Sequence, residues 1–465
     1  MVSETPFDTI AAISTPPGEG GIGIVRLSGD EAIDIVKRIF VPHRKKSETL
    51  WETSFKMHLG YIKNGGKIID EVLVSVMRAP HTYTREDIVE INCHGGAVAV
   101  NEVLRLVLAH GARLAQPGEF TKRAFINGRI DLAQAEAVLD IVRAKTSRAL
   151  EAAVGQLTGR LSESVLELIE KLKGILVQLE ANIDFPEEED IAPIRYDELE
   201  KQIIKVSDTV KELLESYDTG RILKNGILTV IAGKPNVGKS SLLNAFLKFD
   251  RAIVTPLPGT TRDVIEEQLN IGGIPFILAD TAGITETEDV IEKEGVKKSR
   301  YYLQRAQLVI LVFDGSEPLD ERDRELIEQT KPLPRIPVVN KSDLPMKVDL
   351  AELSMLMGSA DNLTIISAKT GKGLKELEKK MAGKIISGEA EGNHSILVTS
   401  ARHFNILKSA LGELSHALDT IRTRGGAELI AFDVRSAMDA LGEITGKVTN
   451  REILEEIFQN FCIGK

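Results

Sequence analysis

Five short apolar runs alternate with segments of helical periodicity in one stretch of this chain. The runs are Ile227 to Ala232, Phe276 to Ala279, Leu308 to Phe313, Pro337 to Val339 and Leu363 to Ile366. Continuous apolar strands are typical of a mainly parallel sheet, because helices cover both of its faces. We therefore expect an α/β domain over residues 221–388.

The segment Gly233-Lys-Pro-Asn-Val-Gly-Lys-Ser240 lies between the first apolar run and a helical run, Ser241 to Phe249. It fits the phosphate-loop pattern G-x-x-x-x-G-K-[ST]. Its glycines let backbone N–H groups surround phosphates, Lys239 can reach the β- and γ-phosphates, and Ser240 can hold Mg²⁺. A plain glycine-rich turn is the alternative, and the strand and helix on either side disfavour it.

Three more short motifs follow later apolar runs. They are Asp280-Thr281-Ala282-Gly283, Asn340-Lys341-Ser342-Asp343 and Ser367-Ala368-Lys369. Asp280 is placed for the Mg²⁺ shell, and Gly283 can offer an N–H group to the γ-phosphate. An ionised Asp343 accepts two hydrogen bonds, which matches the donor edge of guanine and not of adenine. Alone, Asp343 also fits a turn or cap residue. The four motifs in this order predict a Ras-like P-loop domain that binds GTP.

The loop from Ile253 to Asp263 occupies the position of the first switch of GTPases. Thr261 is the candidate to complete Mg²⁺ coordination with Ser240. Ile284 stands where many small GTPases carry the glutamine that orients water, so hydrolysis needs a catalytic group from elsewhere. The predicted GTP contacts are Asn236, Val237, Gly238, Lys239, Ser240, Ser241, Thr255, Pro256, Leu257, Pro258, Gly259, Thr260, Thr261, Asp280, Thr281, Ala282, Gly283, Asn340, Lys341, Asp343, Ser367, Ala368 and Lys369.

The segments on either side of this domain have different patterns. Residues 1–120 mix short β-like runs with Gly/Pro turns, which predicts an α+β domain. Apolar residues at steps of three and four from Val154 to Leu179 predict one long helix that breaks at Phe185-Pro186, followed by helix to about Tyr217. Further apolar helical faces cover Phe404 to Ile421, Leu429 to Ile444 and Ile453 to Phe461.

These unpaired helical faces lie before and after the α/β domain. We expect residues 121–220 and 389–465 to pack together as one discontinuous α-helical domain, into which residues 221–388 are inserted. The fold class is therefore multidomain: an α+β N-terminal domain, a discontinuous helical domain and an inserted α/β domain.

The composition indicates the cellular compartment of the protein and limits the kinds of partner that it can bind. No apolar run approaches the ~20 residues of a membrane span, residues 1–10 lack a signal-peptide pattern, and two cysteines in 465 residues suit a reducing compartment. We expect a cytoplasmic protein without a membrane partner. The formal net charge of −11 disfavours a broad electrostatic grip on nucleic acid, so any RNA contact should be local.

Further motifs lie outside the α/β domain. They are Thr15-Pro16-Pro17-Gly18, Gly20 to Arg26, His94-Gly95-Gly96, Pro117 to Phe120, Arg123-Ala124-Phe125, Asp131 to Glu136 and Phe461-Cys462-Ile463-Gly464-Lys465. With Gly259-Thr260-Thr261-Arg262-Asp263 in the switch loop, they give the chain an end-to-end resemblance to the MnmE (TrmE) family, the tRNA-modification GTPases of bacteria and organelles.

This resemblance implies a partner and a modification. Family members act with the flavoprotein MnmG (GidA), as a heterotetramer, to install an aminomethyl or carboxymethylaminomethyl group at C5 of wobble uridine in certain tRNAs. The amine donor, ammonia or glycine, and the identity of the tRNAs stay open. The alternative is a regulatory or ribosome-assembly GTPase switch that modifies nothing, a class that commonly carries a basic RNA-binding module or a second G domain.

The resemblance also implies an N-terminal module that forms a homodimer and binds a tetrahydrofolate, in its 5-formyl or 5,10-methylene form. The family's folate contacts fall on Arg26, Glu90, Arg129 and Lys465. Arg and Lys suit the glutamate carboxylates, and Glu90 suits the donor edge of the pterin. Each of the four, taken singly, also fits a surface charge or an ion pair. Cys462 is a candidate reactive thiol of open role.

The resemblance implies K⁺-dependent GTP hydrolysis through dimerisation of the G domains, with K⁺ in the place of an arginine finger. Carried over to this sequence, the K⁺ ligands are Asn236, Thr255, Leu257 and Thr260, the first through its side chain and the others mostly through backbone oxygens. Glu292 matches the family's water-orienting catalytic glutamate. Its position also fits an exposed helix charge, and the spacing leaves both interpretations open.

Overall fold

A computed structural model describes residues 8–43, 50–185, 187–188, 193–249, 266–280, 302–358, 363–386, 396–448 and 450–465. The chain divides into two compact units. The first comprises residues 1–142, 156–207 and 409–465, and the second comprises residues 143–155 and 208–408. Within the described ranges, no helix has both the length and the apolar character needed to cross a membrane.

A sheet of seven strands forms the N-terminal part of the first unit. Its strands are β1 (Ile10–Ile13), β2 (Gly23–Ser28), β3 (Phe40–Pro42), β4 (Lys56–Asn64), β5 (Lys67–Met77), β6 (Ile88–Cys93) and β7 (Arg113–Leu114). Their order is β3-β4-β5-β6-β2-β1-β7, with β7 parallel to β1 and the other neighbours antiparallel.

Two helices, α1 (Ala32–Ile39) and α2 (Ala97–Ala109), contribute to the core on one face of this sheet. Val25 and Leu27 of β2 belong to that core. Since side chains alternate along a strand, Arg26 between them points to the other face. That face therefore carries the charged residue that the sequence predicts as a ligand.

The rest of the first unit is helical. Its helices are α3 (Glu119–Ile126), α4 (Leu132–Arg143), α6 (Arg160–Asp184), α13 (Ala427–Thr445) and α14 (Arg451–Gln459). α6 packs against α13, where Arg435 forms an ion pair with Glu180. A helix that precedes the α/β domain in sequence thus packs against one that follows it.

The second unit contains a six-stranded sheet of order β13-β12-β11-β8-β10-β9. Its strands are β8 (Ile227–Ala232), β9 (Glu266–Ile271), β10 (Ile274–Asp280), β11 (Leu308–Asp314), β12 (Arg335–Asn340) and β13 (Thr364–Ile365). All neighbours are parallel except β9 and β10, so the predicted parallel α/β sheet is confirmed. All seven residues of β11 are buried, as a central strand requires.

The helices of the second unit are α5 (Ser147–Leu157), α8 (Lys239–Phe249), α9 (Glu321–Thr330), α10 (Leu350–Met357) and α11 (Leu374–Ile386). The boundaries between the units fall within two longer helices, α7 (Tyr196–Asn225) and α12 (Ala401–Arg422), and near the C-terminal ends of α4 and α5. One core cluster includes apolar residues of α8 and α11, and a second includes residues of α9 and α10.

Two local predictions were wrong, and one strand was not predicted. The long helix predicted from Val154 is two helices, because the chain turns at Gly159, whose φ of +88° favours glycine. α7 continues past Tyr217 to Asn225. The sequence pattern also missed β9, a partly polar edge strand that pairs with β10 across Gly272-Gly273. The predicted break at Phe185-Pro186 is confirmed, since α6 ends at Asp184.

Candidate functional site

The phosphate loop connects β8 to α8, as the sequence predicts. The Lys239 ammonium donates hydrogen bonds to the carbonyl oxygens of Gly233 at 2.9 Å and Lys234 at 2.7 Å, and the side chain is buried. These bonds curl the loop around the ammonium. Ser240 is exposed in the first turn of α8, where its hydroxyl is accessible to a metal ion.

Asn236 occupies the centre of this loop with a φ of +63° and an exposed side chain. A left-handed conformation is uncommon for residues other than glycine, although asparagine tolerates it better than most. Its amide oxygen is thus exposed on the phosphate loop. A neutral oxygen of this kind suits a cation better than a phosphate.

The guanine-recognition motif lies at the carboxyl end of β12 and is held by the phosphate loop. Asn340 is buried; its amide donates to the carbonyl oxygen of Val237 at 2.8 Å and accepts from the N–H of Ala368 at 2.9 Å. A Cβ atom on Gly238 would lie 2.3 Å from the Asn340 amide nitrogen, so only glycine allows this approach. Hydrogen bonds of Asn340 therefore connect its own motif to the phosphate loop and to the Ser367-Ala368-Lys369 motif, which are distant from it in sequence.

Asp343 is exposed and accepts a hydrogen bond of 2.6 Å from the hydroxyl of Ser367. That hydrogen bond holds the pKa of Asp343 below its ordinary value, so the carboxylate is ionised at neutral pH. Two of the predicted base-pocket residues are therefore in contact. The carboxylate is oriented and charged, as recognition of two guanine donors requires.

Lys341 has a contact that the sequence did not predict. Its ammonium lies 2.5 Å from a carboxylate oxygen of Asp314, at the carboxyl end of β11. Burial opposes ionisation of Asp314, but hydrogen bonds from Lys341 and Ser316 lower the pKa of its carboxyl. The apolar run of β11 predicts the strand and gives no signal for this ion pair.

Lys234, a variable position of the phosphate-loop pattern, is also anchored. Its ammonium lies 2.8 Å from Asp323 and 3.0 Å from Asp320, at the first turn of α9. Burial lowers the pKa of Lys234, but the two carboxylates outweigh burial and raise it. Asp320 caps α9 and forms a capping box with Asp323, so the phosphate loop is tied to the start of a helix.

Several predicted site residues lie outside the described residues. They are Thr255, Pro256, Leu257, Pro258, Gly259, Thr260, Thr261, Thr281, Ala282, Gly283 and Glu292. Asp280 ends β10, whose register places it beside Ile231 of β8. Its backbone is thus one strand away from the start of the phosphate loop.

In the first unit, Arg26 and Glu90 are directly opposite each other on β2 and β6. Two nitrogens of the Arg26 guanidinium contact one oxygen of Glu90, at 2.8 and 2.7 Å, and both side chains are about one-fifth exposed. The third nitrogen donates to the carbonyl oxygen of Gly464 at 3.4 Å. Two predicted folate contacts are therefore ion-paired on the face of the sheet opposite α1 and α2.

The C-terminal segment is held against β1 and α3. Gly464 has a φ of +95°, and a Cβ there would lie 2.3 Å from the carbonyl oxygen of Ile13. A Cβ on Gly118 would in turn lie 2.8 Å from the carbonyl oxygen of Phe458. Both glycines permit a close backbone approach that another residue would block. The neighbouring Lys465 is thus brought to the Arg26 side of the sheet.

Arg129, the fourth predicted folate contact, lies against Tyr83, an aromatic residue that the sequence analysis did not identify. Its guanidinium carbon is 4.7 Å from the ring centroid of Tyr83, a cation–π contact. The Tyr83 hydroxyl hydrogen bonds to Thr121 at 2.9 Å. Beside Thr121, the ring of Phe120 lies 5.8 Å from the Arg26 guanidinium carbon. No local motif pointed to Tyr83, because its importance depends on these distant partners.

The two cysteines have different surroundings. Cys462 is exposed, as a reactive thiol requires, whereas Cys93 is buried and its thiol donates to the carbonyl oxygen of Gly23. Burial raises the pKa of Cys93 to about 11, so its thiol is not ionised at neutral pH.

Comparison with known proteins covers almost the whole chain. The family described as "GTP-binding protein TrmE N-terminus" matches residues 9–129, and "MnmE helical domain" matches residues 132–462. The tRNA modification GTPase MnmE of Geobacillus thermodenitrificans (strain NG80-2) is 48% identical over 464 residues, which are 99% of this chain and 100% of the relative. The chain belongs to the MnmE family.

A second MnmE family member, from Carboxydothermus hydrogenoformans (strain ATCC BAA-161 / DSM 6008 / Z-2901), is 50% identical over 466 residues, with 98% of this chain and 99% of the relative covered. The tRNA modification GTPase MnmE of Lactiplantibacillus plantarum (strain ATCC BAA-793 / NCIMB 8826 / WCFS1) is 45% identical and covers 100% of both chains. Membership of the MnmE family confirms the predicted family, fold class and type of enzyme, a GTPase.

Proposed function

We propose that this chain couples GTP hydrolysis to the modification of wobble uridine in tRNA. With a flavoprotein of the MnmG (GidA) type it installs an aminomethyl or carboxymethylaminomethyl group at C5 of that base. The observation that carries this proposal is identity to MnmE relatives over 98–100% of the chain, in both units. A GTPase switch would share the nucleotide motifs but has no reason to share the N-terminal unit.

The phosphate loop and base pocket support the GTP half of the proposal. Ser240 offers an exposed hydroxyl at the start of α8, and with Thr261 it would hold Mg²⁺, which neutralises charge on the β- and γ-phosphates. Asn236 offers an accessible amide oxygen, which fits a K⁺ ligand. Thr255, Leu257 and Thr260 are the other proposed K⁺ ligands.

A bound K⁺ would supply the positive charge that an arginine finger supplies in other GTPases. Lys239 binds the phosphates and Asp343 selects guanine. Glu292 is proposed to orient the attacking water, a role that Ile284 in the glutamine position cannot fill.

The surroundings of Arg26 support binding of a tetrahydrofolate. Glu90 offers a carboxylate acceptor that Arg26 fixes in place, which suits the hydrogen-bond donors of a pterin ring. Arg129 and Lys465 add positive charge for the carboxylates of the glutamate tail. The folate would supply the one-carbon unit, and the residues of this chain bind and orient it.

An exposed apolar face of the first unit supports the proposed homodimer. Met57 and Leu59 of β4 and Leu73 of β5 are 57%, 48% and 39% exposed, and Leu59 pairs directly with Leu73 across the two strands. Exposed apolar residues that adjoin on one sheet face are typical of a protein interface. A second copy of the same face is the proposed cover.

Mass spectrometry of tRNA tests the function. Deletion of the gene should remove the modification from wobble uridine, and the wild-type gene should restore it. Lys239→Ala should not restore it, because the lysine ammonium is central to phosphate binding. Lys331→Ala changes an exposed lysine that follows the last residue of α9 and serves as the control, which should restore the modification fully. Unchanged tRNA in the deletion strain would favour the regulatory GTPase switch instead.

A further inference from the structure

The last residue of β11, Asp314, carries a buried carboxylate beside the proposed base pocket. Its register partner on β12 is Asn340, the first residue of the guanine-recognition motif. One oxygen of the carboxylate lies 2.5 Å from the Lys341 ammonium, and the Asp314 side chain is 4% exposed. Among the residues that the structure describes, Lys341 is the one cation that pairs with it. Because an unpaired buried charge is costly, this ion pair holds the ammonium in place.

The other oxygen of the Asp314 carboxylate is also bound. It accepts hydrogen bonds from the backbone N–H of Ser316 at 2.9 Å and from the Ser316 hydroxyl at 2.7 Å. Burial raises the pKa of Asp314, but these bonds and Lys341 lower it below its ordinary value, so the carboxylate is ionised at neutral pH. With a separate partner on each oxygen, the carboxylate has a fixed orientation and gives the ammonium a fixed position.

The place of β11 in the sheet puts Asp314 under the path of a nucleotide. In the order β13-β12-β11-β8-β10-β9, β11 lies between β8, which leads into the phosphate loop, and β12, which leads into the guanine-recognition motif. These strands are parallel, so their carboxyl ends lie at one edge of the sheet. A nucleotide with its phosphates at Lys239 and its base at Asp343 therefore crosses the carboxyl end of β11.

The residue after Asp314 packs tightly against the same motif. The N–H of Gly315 donates to the carbonyl oxygen of Asn340 at 2.8 Å. A Cβ atom on Gly315 would lie 2.8 Å from that oxygen, so only glycine allows this approach. The end of β11 is thus fixed relative to the backbone from which the Lys341 side chain starts.

The Lys341 side chain spans the ends of two strands. Its Cα directly follows β12, whereas its ammonium lies at the end of β11, and the side chain is 30% exposed. Lys341 has a φ of +64°, which is uncommon for a residue other than glycine, and its carbonyl oxygen accepts from the N–H of Leu344 at 2.9 Å. Asp343 lies within the same tight turn. The apolar stem of a lysine can cover an aromatic ring while its charged end binds elsewhere.

We propose that Asp314 is a positioning residue for the nucleotide: it holds the Lys341 ammonium, so that the apolar stem of Lys341 forms the surface on which the purine ring lies. The proposal rests on the base pocket assigned to Asp343. Asp343 contacts the edge of the ring, where bases differ, whereas the Lys341 stem contacts the face of the ring, which purines share. Asp314 therefore contributes to nucleotide affinity and not to the choice of base.

The test compares GDP and IDP on the full-length chain by isothermal titration calorimetry. Inosine has the same kind of ring as guanosine without the 2-amino group. Asp314→Asn should weaken both ligands roughly tenfold and leave the ratio of their affinities unchanged within about twofold. Turnover at saturating GTP should also stay within about twofold of wild type, because Asp314 does not act on the phosphates. Asp343→Asn should instead narrow the preference for GDP over IDP, since it alters the contact with the ring edge.

A second background tests whether Asp314 acts through Lys341. Lys341→Met keeps an apolar stem and removes the ammonium. In that background, Asp314→Asn should change GDP affinity by less than about twofold, because the group through which it acts is gone. Glu352→Gln is the control. It removes a carboxylate from the ion pair of Glu352 with Arg324, which joins α9 and α10, and it should change neither affinity nor turnover.

The outcomes separate this proposal from the base pocket on which it rests. The positioning role would be overturned if Asp314→Asn changed the ratio of GDP to IDP affinity, slowed turnover without weakening GDP, or kept its full effect in the Lys341→Met background. The base pocket would stand in each of these cases. An unaltered preference for GDP in Asp343→Asn would remove the pocket itself. A lower stoichiometry of GDP binding at unchanged affinity would assign Asp314 to folding alone.

Discussion

In the second unit, the described side chains proposed to bind GTP belong to short motifs that follow the strands of one sheet. In the first unit, the side chains proposed to bind folate come from β2, β6, the segment after α3 and the C-terminal segment. Asn340 and Val237, which join two GTP motifs, are 103 residues apart, whereas Arg26 and Gly464 are 438 residues apart. The GTP site is assembled from short motifs, each of which can be recognised in the sequence by itself, whereas the proposed folate site is assembled by packing from single residues of distant segments.

This difference predicts how the two sites fail. A substitution in a GTP motif should remove nucleotide chemistry and leave the first unit intact, because the motif residues contact one another. A substitution near Arg26 acts on a site whose parts are joined only by tertiary contacts. It should therefore affect folate binding through the placement of several segments at once.

The largest effect is expected on the rate of GTP hydrolysis when Na⁺ replaces K⁺. GTP hydrolysis should be fast in K⁺ and roughly 10³-fold slower or more in Na⁺, since a neutralising charge beside the phosphates is worth about 10³–10⁵ in rate. Asn236→Ala should abolish this dependence together with most of the activity. The measurement is phosphate release in matched K⁺ and Na⁺ buffers, and equal rates in both would refute the cation mechanism.

Glu292→Ala should slow turnover while nucleotide affinity is preserved, because the glutamate acts only on the attacking water. Single-turnover kinetics with a fluorescent guanine nucleotide measures both quantities on one preparation. A matched loss of affinity would instead place Glu292 in nucleotide binding.

The next effect concerns the selection of guanine over other bases by Asp343. Asp343→Asn should reduce GTP affinity roughly 10²–10⁴-fold and raise the relative affinity for xanthine nucleotides, because position 2 of xanthine carries an acceptor. Folate binding should not change, since the two sites belong to different units. Competition titrations with GTP and XTP measure the switch, and unaltered GTP binding would remove the base-pocket assignment.

A smaller effect is expected in the first unit. Reversing the charge of Arg26 or of Lys465 to Glu should weaken binding of a reduced folate roughly 10- to 100-fold and leave GTP binding unchanged. The Arg26 variant should have the larger effect, because it also releases Glu90 and the carbonyl oxygen of Gly464. Calorimetry with both ligands measures this, and a loss of both would indicate unfolding.

The smallest effect concerns the anchor of the phosphate loop. Lys234→Met should lower the free energy of unfolding by about 1–3 kcal/mol, because Asp323 is buried and would lose its charged partner. The matched change Lys331→Met, at the exposed pair that Lys331 forms with Glu328 at the C-terminal end of α9, should have almost no effect. Adding Asp323→Asn should recover part of the loss, and a double-mutant cycle in chemical denaturation measures the coupling.

The sequence predicted the parts of this molecule that depend on neighbouring residues. The phosphate loop lies between a strand and a helix, and Asp343 meets Ser367, because each motif follows a strand of a parallel sheet. The pairing of Lys234 with Asp320 could not be read in this way, since the residues are 86 positions apart and both types are common on surfaces. The helix break at Gly159 was missed because the apolar periodicity continues across it.

The folate site shows the same limit more strongly. Arg26, Glu90, Arg129 and Lys465 were found through a family resemblance, and no spacing in the sequence brings them together. Tyr83 was missed altogether, because a tyrosine gains significance only from what surrounds it. In the structure, the register of β2 and β6 places Arg26 opposite Glu90. The close backbone contacts at Gly118 and Gly464 bring the C-terminal segment to them.

The hydrogen bond that Ser14 donates to the carbonyl oxygen of Gly464 spans 450 residues, and it has a consequence in time. At roughly 5–20 residues per second, the ribosome adds Gly464 about 18–70 s after Leu114, the last residue of β7. The N-terminal sheet has that interval to fold while one side of its ligand site is still missing. Gly464 follows Lys369, the last of the proposed GTP contacts, by 95 residues, so a nascent chain can complete its GTP pocket about 5–20 s before its folate pocket, and loss of the last few residues would silence only the second.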